Sequence, residues 1–296
     1  MTDDAMRFEE LTRRYGEKTV LDRLSASVPR GSITALLGRN AAGKSTAIRC
    51  ALGLIRADFG RVLIFGKDAS SLPNEARARI GYVSETATLG RTASFEGLRE
   101  FGKALYTTWD DALDRDLCER LELPREGSLS SLSVGQQRKA ALWFNLAFRP
   151  ELLVLDEPAG HLDVVVRREF VETILDLFRR EGLTVLLSTH LMQDVERIAD
   201  RVILLDHGHA RFERSLDELK DSVKALRLDA RGVNALPASL RVVDQRRLGS
   251  DALVTVEEFH PGLPGVVEHA TGCAVEVLDL PLEEIFLAYC GSREAA

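Results

Sequence analysis

The sequence predicts an α/β fold: a mainly parallel sheet, a helical subdomain inserted into it, and a small α+β unit appended at the C-terminus. Three observations carry this. The first is Gly38-Arg39-Asn40-Ala41-Ala42-Gly43-Lys44-Ser45-Thr46, the pattern GxxxxGK[ST]. The apolar strand-like run Ser32–Leu37 precedes it, and Ala47–Leu54 with helical spacing follows. The second is a pair of apolar runs, Leu152–Leu155 and Val185–Leu187. Each delivers polar groups at its end, and a helical stretch separates them. The third is a change of character beyond Ser215, where short alternating segments replace long apolar runs.

Composition sets the frame. The 296 residues are 45% hydrophobic and 29% charged, enough for one large or two modest domains. The net charge of -7 argues against nonspecific binding of nucleic acid, which rests on cationic neutralisation of phosphates. No apolar run approaches the ~18–20 residues that span a bilayer. The acidic start Met1-Thr2-Asp3-Asp4 is no signal segment, so a protein that is cytosolic, or held at a membrane by something else, is expected. Cys50, Cys118, Cys273 and Cys290 are scattered, which reads as free thiols in a reducing compartment.

Along the chain, Met6–Leu11 alternates loosely and suits an edge strand, and Tyr15 follows as an aromatic that could stack on a purine, although by itself it reads more readily as a packed surface tyrosine. Val28-Pro29-Arg30-Gly31 is a turn that delivers the chain into the strand before the glycine-rich loop. In that loop, backbone N–H groups at a helix N-terminus would face the phosphates of a nucleotide, Lys44 would reach the outer phosphates and Ser45 would sit on Mg²⁺. Asp58-Phe59-Gly60 is a turn before the strand Arg61–Gly66. Glu75–Arg79 is a short helix, and Ile80–Glu85 is a strand ending on a carboxylate. From about 87 to 150 the pattern is helical: Phe95, Leu98, Phe101 and Leu105 recur at three- and four-residue spacing, as do Leu113, Leu117 and Leu121. Asp110, Asp111, Asp114 and Asp116 crowd one helix start. They read as a solvated face complementing the helix dipole rather than as metal ligands.

Leu132-Ser133-Val134-Gly135-Gln136 leads into the helix Ala140–Phe148, and a Ser and a Gly at a helix start offer a second anion-binding surface. Leu152–Leu155 then delivers Asp156 and Glu157. Two carboxylates at the end of a buried strand are costly without a cation, and Mg²⁺ on Asp156 supplies one, leaving Glu157 to face an attacking water. Ala159–Asp163 is a loop, the helix Val164–Arg180 follows, and Val185–Thr189 is a strand that ends in His190, placed on the same rim as Asp156. Val202–Leu205 with Asp206-His207-Gly208-His209 is a strand and hairpin turn. Beyond it lie the helix Leu216–Ala225, strands around Leu226–Asp229, Leu240–Asp244, Leu253–Val256 and Ala274–Leu278, and the helix Leu282–Tyr289. Domains are expected at 1–214 and 215–296, with the helical subdomain at about 87–150.

Taken together, and in order and spacing, these segments over roughly residues 5–212 resemble the nucleotide-binding subunits of ABC transporters. Gly38–Thr46 resembles the Walker A motif, Leu152–Glu157 a Walker B motif with its catalytic glutamate, and Leu132–Gln136 the signature motif. His190 is similar to the switch histidine, Ala159–Asp163 to the D-loop, Glu85 stands at the Q-loop glutamine, and Tyr15 at the A-loop. The tail Leu282–Leu287 is similar to the C-terminal extension of drug-exporter-type ATPases.

The resemblance implies an ABC cassette that binds ATP and Mg²⁺ and hydrolyses ATP to drive transport. It works with a second ATP-binding subunit and a separate membrane permease, on the cytoplasmic face of the membrane. It implies catalytic roles for Glu157, His190 and Lys44 and magnesium contacts from Ser45, Asp156 and Glu85. Nucleotide contacts fall to Tyr15, Gly38 through Thr46, Glu85 and Asp163, and Ser133, Gly135 and Gln136 are presented to the partner's ATP. A soluble ABC-type ATPase is the alternative. Three residues depart from the family pattern: Glu85 for glutamine, Val134 for a glycine, and Ala41 for a frequent glycine, tolerable if its φ stays negative.

Overall fold

The computed structural model describes residues 3–84, 94–124, 126–158 and 164–291. It falls into two units, Met1–Glu213 and Arg214–Ala296.

The first unit is organised by a six-stranded sheet. Its strands are β3 (Ile33–Leu37), β6 (Ile80–Val83), β7 (Leu152–Asp156), β8 (Thr184–Ser188), β9 (Arg201–Asp206) and β10 (His209–Ser215), in the order β10-β9-β3-β8-β7-β6. The pairs β3/β8, β3/β9, β6/β7 and β7/β8 are parallel. Every residue of β3, β7 and β8 is buried, which is why each reads as an unbroken apolar run. Within those runs the faces still alternate. Leu36, Leu152, Val154 and Leu186 pack to one side, and Ile33, Leu153, Leu155, Val185 and Leu187 pack to the other. Leu36 and Asp156 both pair in register with Ser188, so three strands end on one rim.

An antiparallel sheet covers the first face. It is made of β1 (Asp4–Tyr15), β2 (Lys18–Pro29), β4 (Phe59–Ile64) and β5 (Lys67–Asp68), in the order β2-β1-β4-β5. β1 therefore lies inside the sheet between β2 and β4, not at the edge its alternation suggests. Alternation reports which face is buried, not whether both neighbours are present. The helices α1 (Lys44–Ala51) and α2 (Asn74–Arg77) belong to this side, and the latter is shorter than the stretch Glu75–Arg79 implies at its C-terminal end.

The other face carries α3 (Phe95–Leu105), α4 (Asp111–Arg120), α5 (Val134–Leu146) and α6 (Val164–Glu181), while α7 (Met192–Ile198) joins β8 to β9. Phe95, Trp109, Trp143, Phe144 and Tyr106 interlock here, for example Trp109 edge-on to Trp143 at 6.0 Å. Asp114 corrects the reading of a solvated acidic face: it is 1% exposed. It accepts from Arg99 Nε at 2.5 Å and from Trp143 Nε1 at 2.9 Å. Burial works to raise its carboxyl pKa, but those hydrogen bonds win and hold it below the usual range. Asp110 caps α4 by accepting from Ala112 and Leu113 N–H groups. Among the described residues no cluster of three His, Cys, Asp or Glu could hold a metal.

The second unit begins with α8 (Leu216–Ser222), shorter than expected because Lys224 already pairs in the sheet. Its strands β11 (Lys224–Asp229), β12 (Val242–Leu248), β13 (Asp251–Val256) and β14 (Glu276–Asp279) run in the order β12-β13-β11-β14. Leu226, Leu228, Val254 and Val256 form its core with Val267 of α9 (Leu263–Thr271), a helix not anticipated. The chain closes with α10 (Leu282–Gly291). All four cysteines are free thiols, and no helix among the described residues is long and apolar enough to cross a membrane.

Candidate active site

The strand β3 ends in Leu37 and the loop turns at once. Gly38 is required there, because a Cβ would collide with the carbonyl oxygen of Leu205 on β9. The loop closes on Gly43, which caps α1 with φ 108; a Cβ there would meet Leu21 Cδ2 at 2.7 Å and Val20 O at 3.0 Å. Between them Ala41 takes φ 66, so the condition of a negative φ is not met and this alanine sits in a strained left-handed conformation, a cost of about 1 kcal/mol.

The first turn of α1 receives no side-chain cap and contains no acidic residue. Its leading N–H groups thus remain available to an anion. The Lys44 side chain is 7% exposed and folds back over the loop, its Nζ donating to Gly38 O at 2.8 Å with Glu157 Oε1 3.6 Å away. This ammonium is held in place by two loop carbonyls, Gly38 O and the more distant Arg39 O at 3.5 Å, and by one carboxylate, all of which an incoming phosphate could replace.

Ser45, next on the helix, donates its hydroxyl to Asp156 Oδ1 at 3.1 Å. Asp156 is 3% exposed and forms no ion pair among the described residues. Burial pushes its carboxyl pKa up, the Ser45 hydrogen bond opposing. A buried carboxylate beside a serine hydroxyl, favoured in its charged form by Arg49 but with no cation at ion-pair distance among the described residues, is a donor set suited to Mg²⁺.

Glu157 follows with φ 49, a left-handed turn that swings its side chain off the sheet and into the cleft. Its N–H donates to Ser188 O at 2.9 Å, and its Oε2 lies 2.8 Å from His190 Nδ1. A non-glycine residue held in this region at a strand end is the kind of strain that accompanies function. The buried guanidinium of Arg138 grips the same turn, its Nη1 3.4 Å from Glu157 O and 3.2 Å from Pro158 O.

These groups surround one cleft of about 440 Å³, lined by residues 39–46 with Lys18, Val20, Glu157 and His190. Lys44, Ser45, Glu157 and His190 are thus brought together on the lining, and Asp156 joins them through its hydrogen bond from Ser45. Ser133, Gly135 and Gln136 do not: they form the start of α5 and line none of this cleft. Ser133 caps α5 by accepting from Gln136 N–H at 3.2 Å, while Gln136 Oε1 accepts from Ser133 N–H at 3.0 Å. Val134 between them is 61% exposed. Tyr15 is also absent from the lining and instead carries the Arg13 guanidinium 4.7 Å from its ring centre. Glu85 and Asp163 lie outside the described residues.

Sequence reasoning missed Lys18, Val20 and Arg138. The first two reach the cleft because the β1–β2 hairpin packs on Gly43, a non-local fact without a local signal. Arg138 carried one signal, a cation one turn into a helix that continues as Ala140-Ala141-Leu142-Trp143.

The model of the ABC transporter family matches residues 21–160. A daunorubicin resistance ATP-binding protein of Streptomyces coeruleorubidus is 32% identical, with all of this chain and all of the relative covered. A methionine import ATP-binding protein of Rhizobium johnstonii is 36% identical over 70% of this chain and 60% of its own length. A solved ATP-binding subunit of an ABC transporter superposes with a TM-score of 0.67 at 26% identity, covering 73% of this chain and 92% of the other.

Proposed function

Because the chain belongs to the ABC transporter family of ATP-binding proteins, which hydrolyse ATP, we propose that it powers export through a separate membrane-spanning permease, working as a head-to-tail pair of cassettes. The observation that carries this reading is the division of the candidate groups. Lys44, Ser45, Glu157 and His190 line one cleft and Asp156 is tied to it through the Ser45 hydroxyl, whereas the capping box of Ser133 and Gln136, with Gly135, lies at the start of α5 and has no such tie among the described residues. A second copy, or a related subunit, presents its own α5 start to the nucleotide that this cleft holds.

In that reading the amides of residues 41–46 and the Lys44 ammonium take the phosphates, Lys44 exchanging Gly38 O for phosphate oxygen. Ser45 and Asp156 would hold Mg²⁺, which would supply neutralisation of the phosphate charge. Glu157 orients the attacking water and accepts its proton, a role worth about 10²–10⁴-fold. Positioning and electrostatics supply most of the remainder. His190 already spends Nδ1 on Glu157. If the ring donates there, Nε2 is left as a lone pair, so contact with a γ-phosphate oxygen requires a second ring proton or release of Glu157. Glu85 and Asp163 are assigned to the magnesium and nucleotide by family likeness alone.

Export is supported by the relative named for drug resistance, which matches from end to end; relatives named for Nod factor export and for methionine import match over similar, partial shares of their own length. The unit Arg214–Ala296 is proposed as an accessory domain of such exporters. The test is affinity purification of the tagged full chain from its native membrane fraction. A polytopic membrane protein is expected to co-purify in stoichiometric amount and to stimulate ATP hydrolysis. Recovery of the cassette from cytosol only, with full activity and no membrane subunit, contradicts the transport reading.

A further inference from the structure

Arg138 is a buried cation beside the site that the roles above leave unused. Its side chain is 6% exposed. Among the described residues it forms no ion pair with a carboxylate, and its recorded acceptors are two main-chain carbonyls, those of Glu157 and Pro158. Burying a guanidinium without a counter-ion costs several kcal/mol, and two neutral carbonyls offset only part of that. Packing alone would be served better by an apolar side chain, which the neighbours Ala140, Ala141 and Leu142 supply.

The two carbonyls belong to the turn that matters most for chemistry. Glu157 is held at φ 49, and that backbone setting aims its carboxylate at His190 and Lys44. Left-handed backbone at a non-glycine residue persists only where its surroundings over-determine it. On one side the Glu157 N–H is fixed to Ser188 O. On the other side the Arg138 guanidinium is the clamp. Arg138 also rides on α5, one turn behind Ser133 and Gly135, and α5 is continuous from Val134 to Leu146. A shift of the α5 start is therefore carried to the Glu157 carbonyl through a single rigid turn.

We infer that Arg138 is a positioning residue that couples the two nucleotide sites of the pair: seating of α5 on the partner's ATP sets, through the Arg138 clamp, the aim of Glu157 on this chain's own ATP. This rests on the head-to-tail reading above. Neither cassette then reaches its full rate unless its signature helix is engaged, which makes hydrolysis cooperative.

The experiment uses the full chain carrying Arg138→Met or Arg138→Lys, with steady-state ATPase kinetics, nucleotide affinity and thermal unfolding measured on each. A carboxylate misplaced by about 1 Å costs on the order of 10²-fold. For Arg138→Met, kcat is expected to fall by about 10- to 100-fold while KM and ATP affinity stay within about twofold, and the Hill coefficient to fall toward 1. Arg138→Lys, which can still donate to one carbonyl, recovers part of kcat and carries the test should the Met variant not fold. Adding Arg138→Met to Glu157→Gln is expected to lower residual turnover no further, since both act through one carboxylate. The inference is overturned if the folded variants keep kcat and the Hill coefficient of the wild type, or if kcat falls while Glu157→Gln plus Arg138→Met is additive. If Glu157→Gln itself turns over ATP at the wild-type rate, the underlying reading of the site fails instead.

Discussion

Replacing Asp156 by Asn should make the metal-free protein more stable while removing its activity. Asp156 is nearly fully buried, and its recorded hydrogen bond, from Ser45 at 3.1 Å, survives the change because Asn keeps an acceptor oxygen. Burial raises the carboxyl pKa above the ordinary carboxylate value. A carboxyl whose folded-state pKa is raised binds its proton more tightly in the folded chain than in the unfolded one. Its contribution to stability is full below the unfolded value near 3.9 and is lost as pH rises through the folded value. At neutral pH the ionised group is thus a net liability when no cation is bound. Removing that charge should stabilise by about 1 kcal/mol, which for a unit of this size raises Tm by about 2–4 °C. Calorimetric unfolding without magnesium or nucleotide reads this directly. The gain should shrink as the pH is lowered into the range where Asp156 protonates, and with magnesium and ATP the order should reverse, because the wild type binds the magnesium-bound nucleotide more tightly and is stabilised more by it. A variant less stable than wild type in the metal-free state, or a gain independent of pH, refutes the reasoning.

Two further substitutions test the loop. Lys44→Ala removes the ammonium that spans Gly38 O and Glu157, and is expected to weaken ATP affinity by tenfold or more, about 1.4 kcal/mol, as measured by equilibrium nucleotide binding; unchanged affinity counts against the loop as the phosphate site. Gly38→Ala places a methyl group against the Leu205 carbonyl and should destabilise by about 1–3 kcal/mol, lowering the urea midpoint and weakening ATP binding together; a normal midpoint means that β9 yields without cost.

What the sequence made legible was local. The loop from Gly38 to Lys44 and the runs Leu152–Asp156 and Thr184–Ser188 were readable because strand, turn and helix chemistry is written in adjacent residues, and a buried parallel strand leaves an unbroken apolar run. The rim shared by Ser45, Asp156, Glu157 and His190 followed from the rule that parallel strands present their ends together. What failed to show was tertiary. Nothing beside Asp114 announces that Arg99 and Trp143 will close over it. The interior place of β1 depends on β4, some fifty residues away. The helix α9 hides behind Pro264 and Gly265 in its first turn, residues that ordinarily signal a loop. The left-handed settings of Ala41 and Glu157 are imposed by packing against the propensity of the residues themselves.

The central claim is that two cassettes close on ATP and that Glu157 triggers its hydrolysis. Glu157→Gln, incubated with ATP and magnesium and examined by light scattering coupled to size-exclusion chromatography, tests it most directly. A dimer that retains uncleaved ATP, and that is absent without nucleotide, is the predicted result. A monomer that hydrolyses ATP at the wild-type rate contradicts the account.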